Sequence, residues 1–222
     1  MTRFTLITFD CYGTLIDWES GMKIALKKIL AQKGLHNDTD QLIKRYIEIE
    51  LEIEQETYRK YEEVLILGVK RLFAEKNIKL SCSEERVFAD TIATWPPFKE
   101  TKKAIKRLKE KYRLAILSNV DNEIIKHSID LIGVEFDGVI TAEMVRSYKP
   151  SHAHWNKLIE LFKPTKKDEV LHVSSSYVHD VVPAKELGFK VAWINRKGEK
   201  LPGRYKPDYE FNNLTALADF LL

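Results

Sequence analysis

Cysteine and long apolar runs are both scarce in this chain, and each scarcity excludes a class of protein. The 222 residues include 2 cysteines, Cys11 and Cys82, which are too few for a disulfide framework and fit a reducing compartment. No run approaches the ~18 consecutive apolar residues of a membrane span. The opening Met1–Phe4 lacks the apolar core of a secretion signal. We therefore expect a cytoplasmic protein that does not contact a membrane.

A large excess of charge of one sign is also missing. Lys and Arg number 36 against 33 Asp and Glu, which leaves a net charge of +3. Basic residues do not cluster with aromatic ones, so the sequence does not predict nucleic-acid binding. The length suits one large domain, or a core domain with a second domain inserted into it.

Short apolar runs that predict buried strands recur along the chain. They occupy residues 4–9, 114–118, 137–141, 169–174 and 190–194, with a short edge strand near Tyr209. Helical patterns follow at 100–111, 122–132, 152–162, 179–187 and 213–221. This alternation predicts an α/β fold, a Rossmann-like parallel sheet core with helices on both faces.

Residues 17–95 interrupt that alternation because they are helical in pattern almost throughout. The predicted helices cover 19–33, 39–60, 61–76 and 84–94, and Asp38 or Asp40 could cap the second of them. Trp95-Pro96-Pro97 closes the region, since proline prevents further helix. We predict an α/β core formed by 1–16 and 96–222, with 17–95 as an inserted helical cap domain.

Four polar segments follow predicted core strands. They are Asp10–Thr14, Ser118–Asn119, Lys149–Pro150 and Ser174–Asp180. Gly13 allows a sharp turn directly after the first strand. Because the carboxyl ends of parallel strands meet at one edge of a sheet, the four segments are expected to converge on one site.

These motifs, in this order and with a helical insertion after the first, resemble the haloacid dehalogenase superfamily over nearly the whole chain. The resemblance implies that Asp10 is a catalytic nucleophile that forms a covalent ester or anhydride. Thr14 would orient its carboxylate, and Lys149 would keep it ionised and compensate negative charge on the substrate. Asp180 would pair with Lys149 or position the hydrolytic water.

The same resemblance assigns residues that hold the substrate. Ser118 and Asn119 would hydrogen-bond an anionic group, together with backbone N–H groups near Cys11 and Tyr12. The Cys11 side chain itself is predicted to pack beside the strand end, because no nearby histidine in the sequence would activate it.

Two positions separate the branches of this superfamily. Its phosphatases carry a second aspartate two residues after the nucleophile, where this chain has Tyr12, and a metal-binding aspartate where this chain has Ser175. A serine hydroxyl is a poor ligand for Mg²⁺. Both changes are typical of the L-2-haloacid dehalogenases, so the resemblance implies a cofactor-free (S)-2-haloacid dehalogenase with Ser175 among its catalytic residues. Its substrate would be a small 2-substituted carboxylate.

Further residues carry weaker predictions. Arg45, near the start of the second cap helix, stands where the family uses an arginine to receive the halide, although a surface charge explains it equally well. Trp155 replaces a family tyrosine and is expected to pack. His179 could reach the site or simply begin a helix. His152 and His154 lack metal-ligand partners and are predicted to be exposed.

More than one activity is compatible with these motifs. The final motif, Ser176-Tyr177-Val178-His179-Asp180, is also similar to a dehalogenase-like subgroup that opens the ring of a small cyclic amino acid. Two alternatives stay open beside the dehalogenase: a Mg²⁺-dependent phosphatase that has an unusual metal site, and a catalytically silent binding protein of the same fold. Members of the family often form dimers, so a homodimer is possible.

Overall fold

A computed structural model describes residues 4–164 and 166–222 and divides them into two compact units. One unit combines the segment that ends at Ile16 with Pro97–Leu222, and the other is Asp17–Pro96. The boundary thus falls one residue later than the sequence predicts. Residues 1–3, which belong to the predicted core segment and opening, lie outside the described residues. Within the described part, no helix is long and apolar enough to span a membrane.

The first unit is built on a six-stranded sheet in which every neighbouring pair is parallel. Its strands are β1 Leu6–Phe9, β2 Arg113–Ser118, β3 Gly138–Thr141, β4 Val170–Ser174, β5 Lys190–Ile194 and β6 Tyr209–Phe211. The spatial order is β3-β2-β1-β4-β5-β6. The chain therefore adds β2 and β3 on one side of β1 and β4 to β6 on the other. Open α/β folds place their ligands at such a switch point, here between β1 and β4.

Helices on both sides of the sheet make its central strands almost completely buried. The helices of this unit are α6 Thr101–Lys109, α7 Asn122–Ile132, α8 Ala142–Val145, α9 Ala153–Phe162, α10 Val182–Glu186 and α11 Leu214–Leu221, and a π-helical turn covers Tyr177–Val181. All residues of β1 and β4 are buried. This pattern is typical of a parallel sheet covered on both faces, which confirms the predicted fold class.

The second unit is helical. It contains α1 Trp18–Gln32, α2 Thr39–Glu54, α3 Tyr61–Ala74, α4 Cys82–Glu85 and α5 Val87–Thr91, followed by a 3₁₀ turn at Ile92–Thr94. Asp38 caps α2 by accepting a hydrogen bond from the Asp40 N–H at 2.9 Å. The predicted 39–60 helix is too long: α2 ends at Glu54 because polar residues follow Ile53 where its buried face would continue.

Candidate active site

Asp10 directly follows β1 at the carboxyl edge of the sheet, and its side chain is buried. The residue is 6% exposed. Gly13 takes a positive φ of 93°, a conformation that favours glycine, so the chain turns back immediately after the aspartate. Leu15 and Ile16 N–H groups then donate to the Cys11 carbonyl at 2.7 and 3.0 Å. This compact turn holds Asp10 beside β4, at the switch point between β1 and β4.

Lys149 connects Asp10 with the second aspartate of the site. Its ammonium donates to Asp10 Oδ1 at 2.9 Å, to Asp180 Oδ1 at 2.7 Å and to the Leu117 carbonyl at 2.9 Å. An ammonium has three N–H donors, so these acceptors use all of them. The lysine side chain is 1% exposed, and a charge at that depth requires such a set of partners.

The two aspartates that share this lysine differ in their electrostatics. Burial raises the pKa of Asp10, against the effect of Lys149 and with a further increase from the charge of Asp180. Burial also acts on Asp180, but the charge of Lys149 and the hydrogen bond from His172 outweigh it and hold its pKa well below the usual range. The two carboxylates raise the pKa of Lys149 despite its burial, so the lysine is protonated. Asp180 is therefore ionised at neutral pH.

Thr14 and Ser175 support the other side of Asp10. The Thr14 hydroxyl donates to Asp10 Oδ2 at 2.8 Å and accepts from the Ser175 N–H at 2.9 Å. Its distance to Ser175 Oγ is 3.4 Å, so the single hydroxyl proton belongs to the shorter contact with the carboxylate. Ser175 thus lies next to the Asp10–Thr14 pair, as its place after β4 predicts.

Ser118 is the last residue of β2 and Asn119 follows it, but the polar atoms of the two side chains are used differently. The Ser118 hydroxyl oxygen is buried and has no hydrogen-bond partner among the described residues. Asn119 instead accepts from the Lys149 N–H at 2.7 Å and donates to the Lys149 carbonyl at 3.1 Å. The Asn119 amide thus holds the main chain of Lys149, and its contact with a substrate stays a prediction.

Tyr12 and Cys11 are also buried at this edge. The Tyr12 hydroxyl lies 2.7 Å from Ser128 Oγ on α7, and burial raises the pKa of its phenol well above the usual range. Burial and the Asp10 charge raise the pKa of the Cys11 thiol as well. A buried thiol held neutral is a weak nucleophile, in agreement with the packing role predicted for Cys11.

Two buried histidines of the core contradict or extend the sequence interpretation. The sequence predicts an exposed His154, but this residue is 0% exposed, its Nε2 lies 3.2 Å from the Ser118 carbonyl, and burial lowers its pKa to about 3. That prediction is wrong because α9 turns this residue towards the sheet. His172, to which the sequence assigns no role, contacts Asp180 from β4 at 2.9 Å. A histidine inside an otherwise apolar strand was the signal, since buried polar groups need partners.

The structure also shows the neighbours of the other aromatic and histidine residues that the sequence singles out. Trp155 is fully buried and its ring lies 5.6 Å from that of His172, in agreement with the predicted packing role. His179 Nδ1 lies 3.1 Å from Ser176 Oγ in the π-helical turn. His152 is partly exposed and lies 3.2 Å from Glu186.

Arg196, which follows β5, is another residue that the sequence interpretation missed. Its guanidinium donates to the Thr14 carbonyl at 2.8 Å, pairs with Glu100 at 2.6 Å and lies 3.6 Å from the centre of the Phe98 ring. A planar guanidinium can make these contacts at the same time, whereas an ammonium cannot. Arg196 thereby fixes the backbone of the turn that carries Asp10.

Arg45 of the helical unit lies in a surface ion-pair network, which is one of the two environments that the sequence leaves open. Its guanidinium donates to both carboxylate oxygens of Glu75, at 2.9 and 2.6 Å, and to Glu48 at 2.9 Å. All three residues are exposed or partly exposed. The structure shows this surface ion-pair network, and the halide-binding role of Arg45 stays a prediction.

The fold and the site together define a class of protein: one with an open, parallel α/β sheet and a buried aspartate motif at the carboxyl end of its first strand. A model of the haloacid dehalogenase-like hydrolases matches residues 4–188, and the chain belongs to this family. Haloacetate dehalogenase H-2 of Moraxella sp. (strain B) is 32% identical over 203 residues, which cover 89% of this chain and 88% of that protein.

Two further similarities extend over almost the full length. (S)-2-haloacid dehalogenase H-109 of Pseudomonas putida is 29% identical, with 97% of each chain covered. The crystal structure of the L-2-haloacid dehalogenase RSc1362 superposes with a TM-score of 0.88, covers 99% of both chains and is 22% identical, which supports the fold.

Proposed function

We propose that this protein hydrolyses small (S)-2-haloacids, with Asp10 as the nucleophile and an aspartyl ester as the intermediate. The observation that carries the proposal is the buried Asp10 carboxylate, which Lys149 and Thr14 contact at 2.9 and 2.8 Å. Two of the relatives are named for dehalogenation of haloacids, one of them for the (S) enantiomer.

The first step is a substitution at carbon. An Asp10 oxygen attacks C2 of the haloacid, the C–O bond forms, and the carbon–halogen bond breaks with its electron pair leaving on the halide. A halide needs no proton to leave, so the site requires no acid in the position of Tyr12. The free hydroxyl of Ser118 is suited to hydrogen-bond the substrate carboxylate.

The second step cleaves the ester. Water attacks the carboxyl carbon of Asp10, the aspartate is regenerated, and the products are a 2-hydroxy acid with inverted C2 and one proton. Asp180 is suited to accept a proton from this water, because it is ionised and its Oδ2 has no hydrogen-bond partner among the described residues. Lys149 neutralises charge beside both aspartates throughout.

The residues of the site do not fit a magnesium ion. Mg²⁺ prefers carboxylate oxygens, but Tyr12 and Ser175 occupy the positions where the phosphatases of the family carry aspartates. Asp180 Oδ1 is already bonded to Lys149 and His172. The described residues contain no group of three or more His, Cys, Asp or Glu that could hold a metal. The proposed reaction therefore uses no metal.

Chloride release from (S)-2-chloropropionate in the presence of EDTA tests the proposal, with the (R) enantiomer, chloroacetate and a small cyclic amino acid as comparison substrates. Asp10→Asn should abolish release, whereas Asp130→Asn, at an exposed position, should not. Turnover in ¹⁸O-water should place ¹⁸O in Asp10. Release of halide without label in Asp10 would contradict the ester, and no release from any haloacid would contradict the activity.

A further inference from the structure

His172 lies in the middle of β4, completely buried, and both of its ring nitrogens have polar partners. Nε2 is 2.9 Å from Asp180 Oδ1, and Nδ1 is 2.8 Å from the hydroxyl of Thr8. Thr8 is the direct neighbour of His172 in the β1–β4 register. The strand pairing therefore brings the Thr8 hydroxyl into contact with the imidazole, which in turn contacts the second aspartate of the site.

The contact with Asp180 determines where one imidazole proton lies. Asp180 is a carboxylate and can only accept, so the imidazole proton is on Nε2. The Thr8 hydroxyl can donate to Nδ1 or accept from it, so both ring nitrogens of His172 have a partner in either case. The Trp155 ring, 5.6 Å away, packs against the imidazole. The nearby His154 is neutral because burial lowers its pKa to about 3.

The consequence falls on the two oxygens of Asp180. Oδ1 receives two hydrogen bonds, from Lys149 at 2.7 Å and from His172 at 2.9 Å. Oδ2 is buried and has no hydrogen-bond partner in residues 4–164 and 166–222. Lys149 also contacts Asp10, so the two donors hold Asp180 beside the nucleophile with one oxygen occupied and the other without a partner within the described part of the chain.

We propose that His172 is a positioning residue which, with Thr8 behind it, fixes Asp180 so that Oδ2 accepts the proton of the water that cleaves the aspartyl ester. This role rests on the proposed function. It concerns the second half-reaction, since attack of Asp10 on the haloacid requires no proton acceptor. An apolar side chain would fill the same place in the strand without any of these hydrogen bonds.

Two substitutions at this position separate the hydrogen bond from the packing. His172→Gln keeps a donor near the position of Nε2, and His172→Leu removes it. In single-turnover experiments with (S)-2-chloropropionate, followed by quenching and mass measurement, His172→Leu should hydrolyse the ester at least 10-fold more slowly than wild type. The alkylation step should change less than 3-fold, so the adduct on Asp10 should accumulate.

The donor-retaining variant and the pH profile add independent readouts. His172→Gln should recover most of the hydrolysis rate, and Thr8→Val should give an intermediate rate. The acid limb of ester hydrolysis should move to higher pH in His172→Leu, because Asp180 loses a hydrogen bond that favours its ionised form. His127→Gln, at an exposed position on α7, should behave as wild type.

Several outcomes would overturn the inference. Equal slowing of both half-reactions in His172→Leu, or a glutamine variant as slow as the leucine variant, would assign His172 a packing role alone. If the leucine variant fails to fold by circular dichroism, the glutamine and Thr8→Val variants decide the question by the same rates. A wild-type protein that releases no halide overturns the proposed function itself, whereas wild-type turnover with unchanged variants overturns only the role of His172.

Discussion

Replacing Lys149 by methionine removes an ammonium that two buried aspartates share. Methionine keeps an unbranched stem of similar length, so the change acts mainly on charge and hydrogen bonding. The ammonium makes three hydrogen bonds, to Asp10, Asp180 and the Leu117 carbonyl. Without the ammonium, two buried carboxylates remain: the side chain of Asp10 is 9% exposed and that of Asp180 is 0% exposed.

The expected loss of stability follows from the remaining charges. Removing one partner of a buried ion pair costs roughly 3–5 kcal/mol because the other charge is left uncompensated. Two carboxylates remain here, but protonation limits their cost, so we expect the free energy of unfolding to fall by roughly 3–5 kcal/mol near neutral pH. Halide release should fall by at least ~10²-fold, the effect of losing one electrostatic donor in an active site.

The pH dependence of this loss is the sharper test. Without the ammonium, we expect burial to raise the folded-state pKa of both aspartates above the unfolded value. Groups whose pKa rises on folding favour the folded state at low pH and disfavour it as the pH rises through the folded pKa. In the wild type, the lowered pKa of Asp180 acts in the opposite direction and its contribution is lost only in acid. The deficit of Lys149→Met should therefore shrink between about pH 8 and about pH 5.

Urea unfolding at both pH values, followed by circular dichroism and tryptophan fluorescence, measures the deficit. The two units can unfold separately, so each transition is fitted on its own. Lys126→Met is the matched control, because Lys126 pairs with Glu123 on the surface, at 64% and 79% exposure, and should change stability little. A deficit below about 1 kcal/mol, or one that grows in acid, would refute the uncompensated-charge argument.

Three further predictions concern other parts of the chain. Burial raises the pKa of Asp10, and the nucleophile must be ionised, so the rate of ester formation should fall in acid with a midpoint above 3.8. A pre-steady-state pH profile measures this midpoint, and a value below 3.8 would contradict the effect of burial on Asp10. Arg196→Met should lower kcat by roughly 10-fold or more, because the turn that carries the nucleophile loses its support. Arg196→Lys should not restore kcat. Unchanged steady-state kinetics would exclude a positioning role for Arg196. Gly21→Ala places a methyl group against the Trp95 ring and should destabilise the helical unit by roughly 1–3 kcal/mol in urea unfolding; Ile24→Ala, at a 68% exposed position of the same helix, is the control and should change little.

Much of the core could be predicted because its signals are local. Each strand is a short apolar run, and the α7 and β5 predictions match the structure residue for residue, at Asn122–Ile132 and Lys190–Ile194. Asp10, Ser118 and Ser175 each stand where a strand ends. Parallel pairing then brings such residues to one edge without further information.

The helical unit was harder because helix boundaries depend on packing. The sequence continues as a helical pattern to residue 60, but the buried face of α2 ends at Ile53. The predicted 84–94 helix is in fact three short segments. Arg45 shows the same limit, since Glu75, its bidentate partner, lies 30 residues away in the chain.

The sequence by itself determined the parallel α/β core, the order of the motifs and the replacement of two family carboxylates by Tyr12 and Ser175. Only the tertiary structure decided how the side chains are used. It engaged Asn119 with the main chain of Lys149, buried His154, and placed His172 behind Asp180. These roles depend on contacts between different elements of the fold, which the packing of β2, β4 and α9 creates and no local pattern contains.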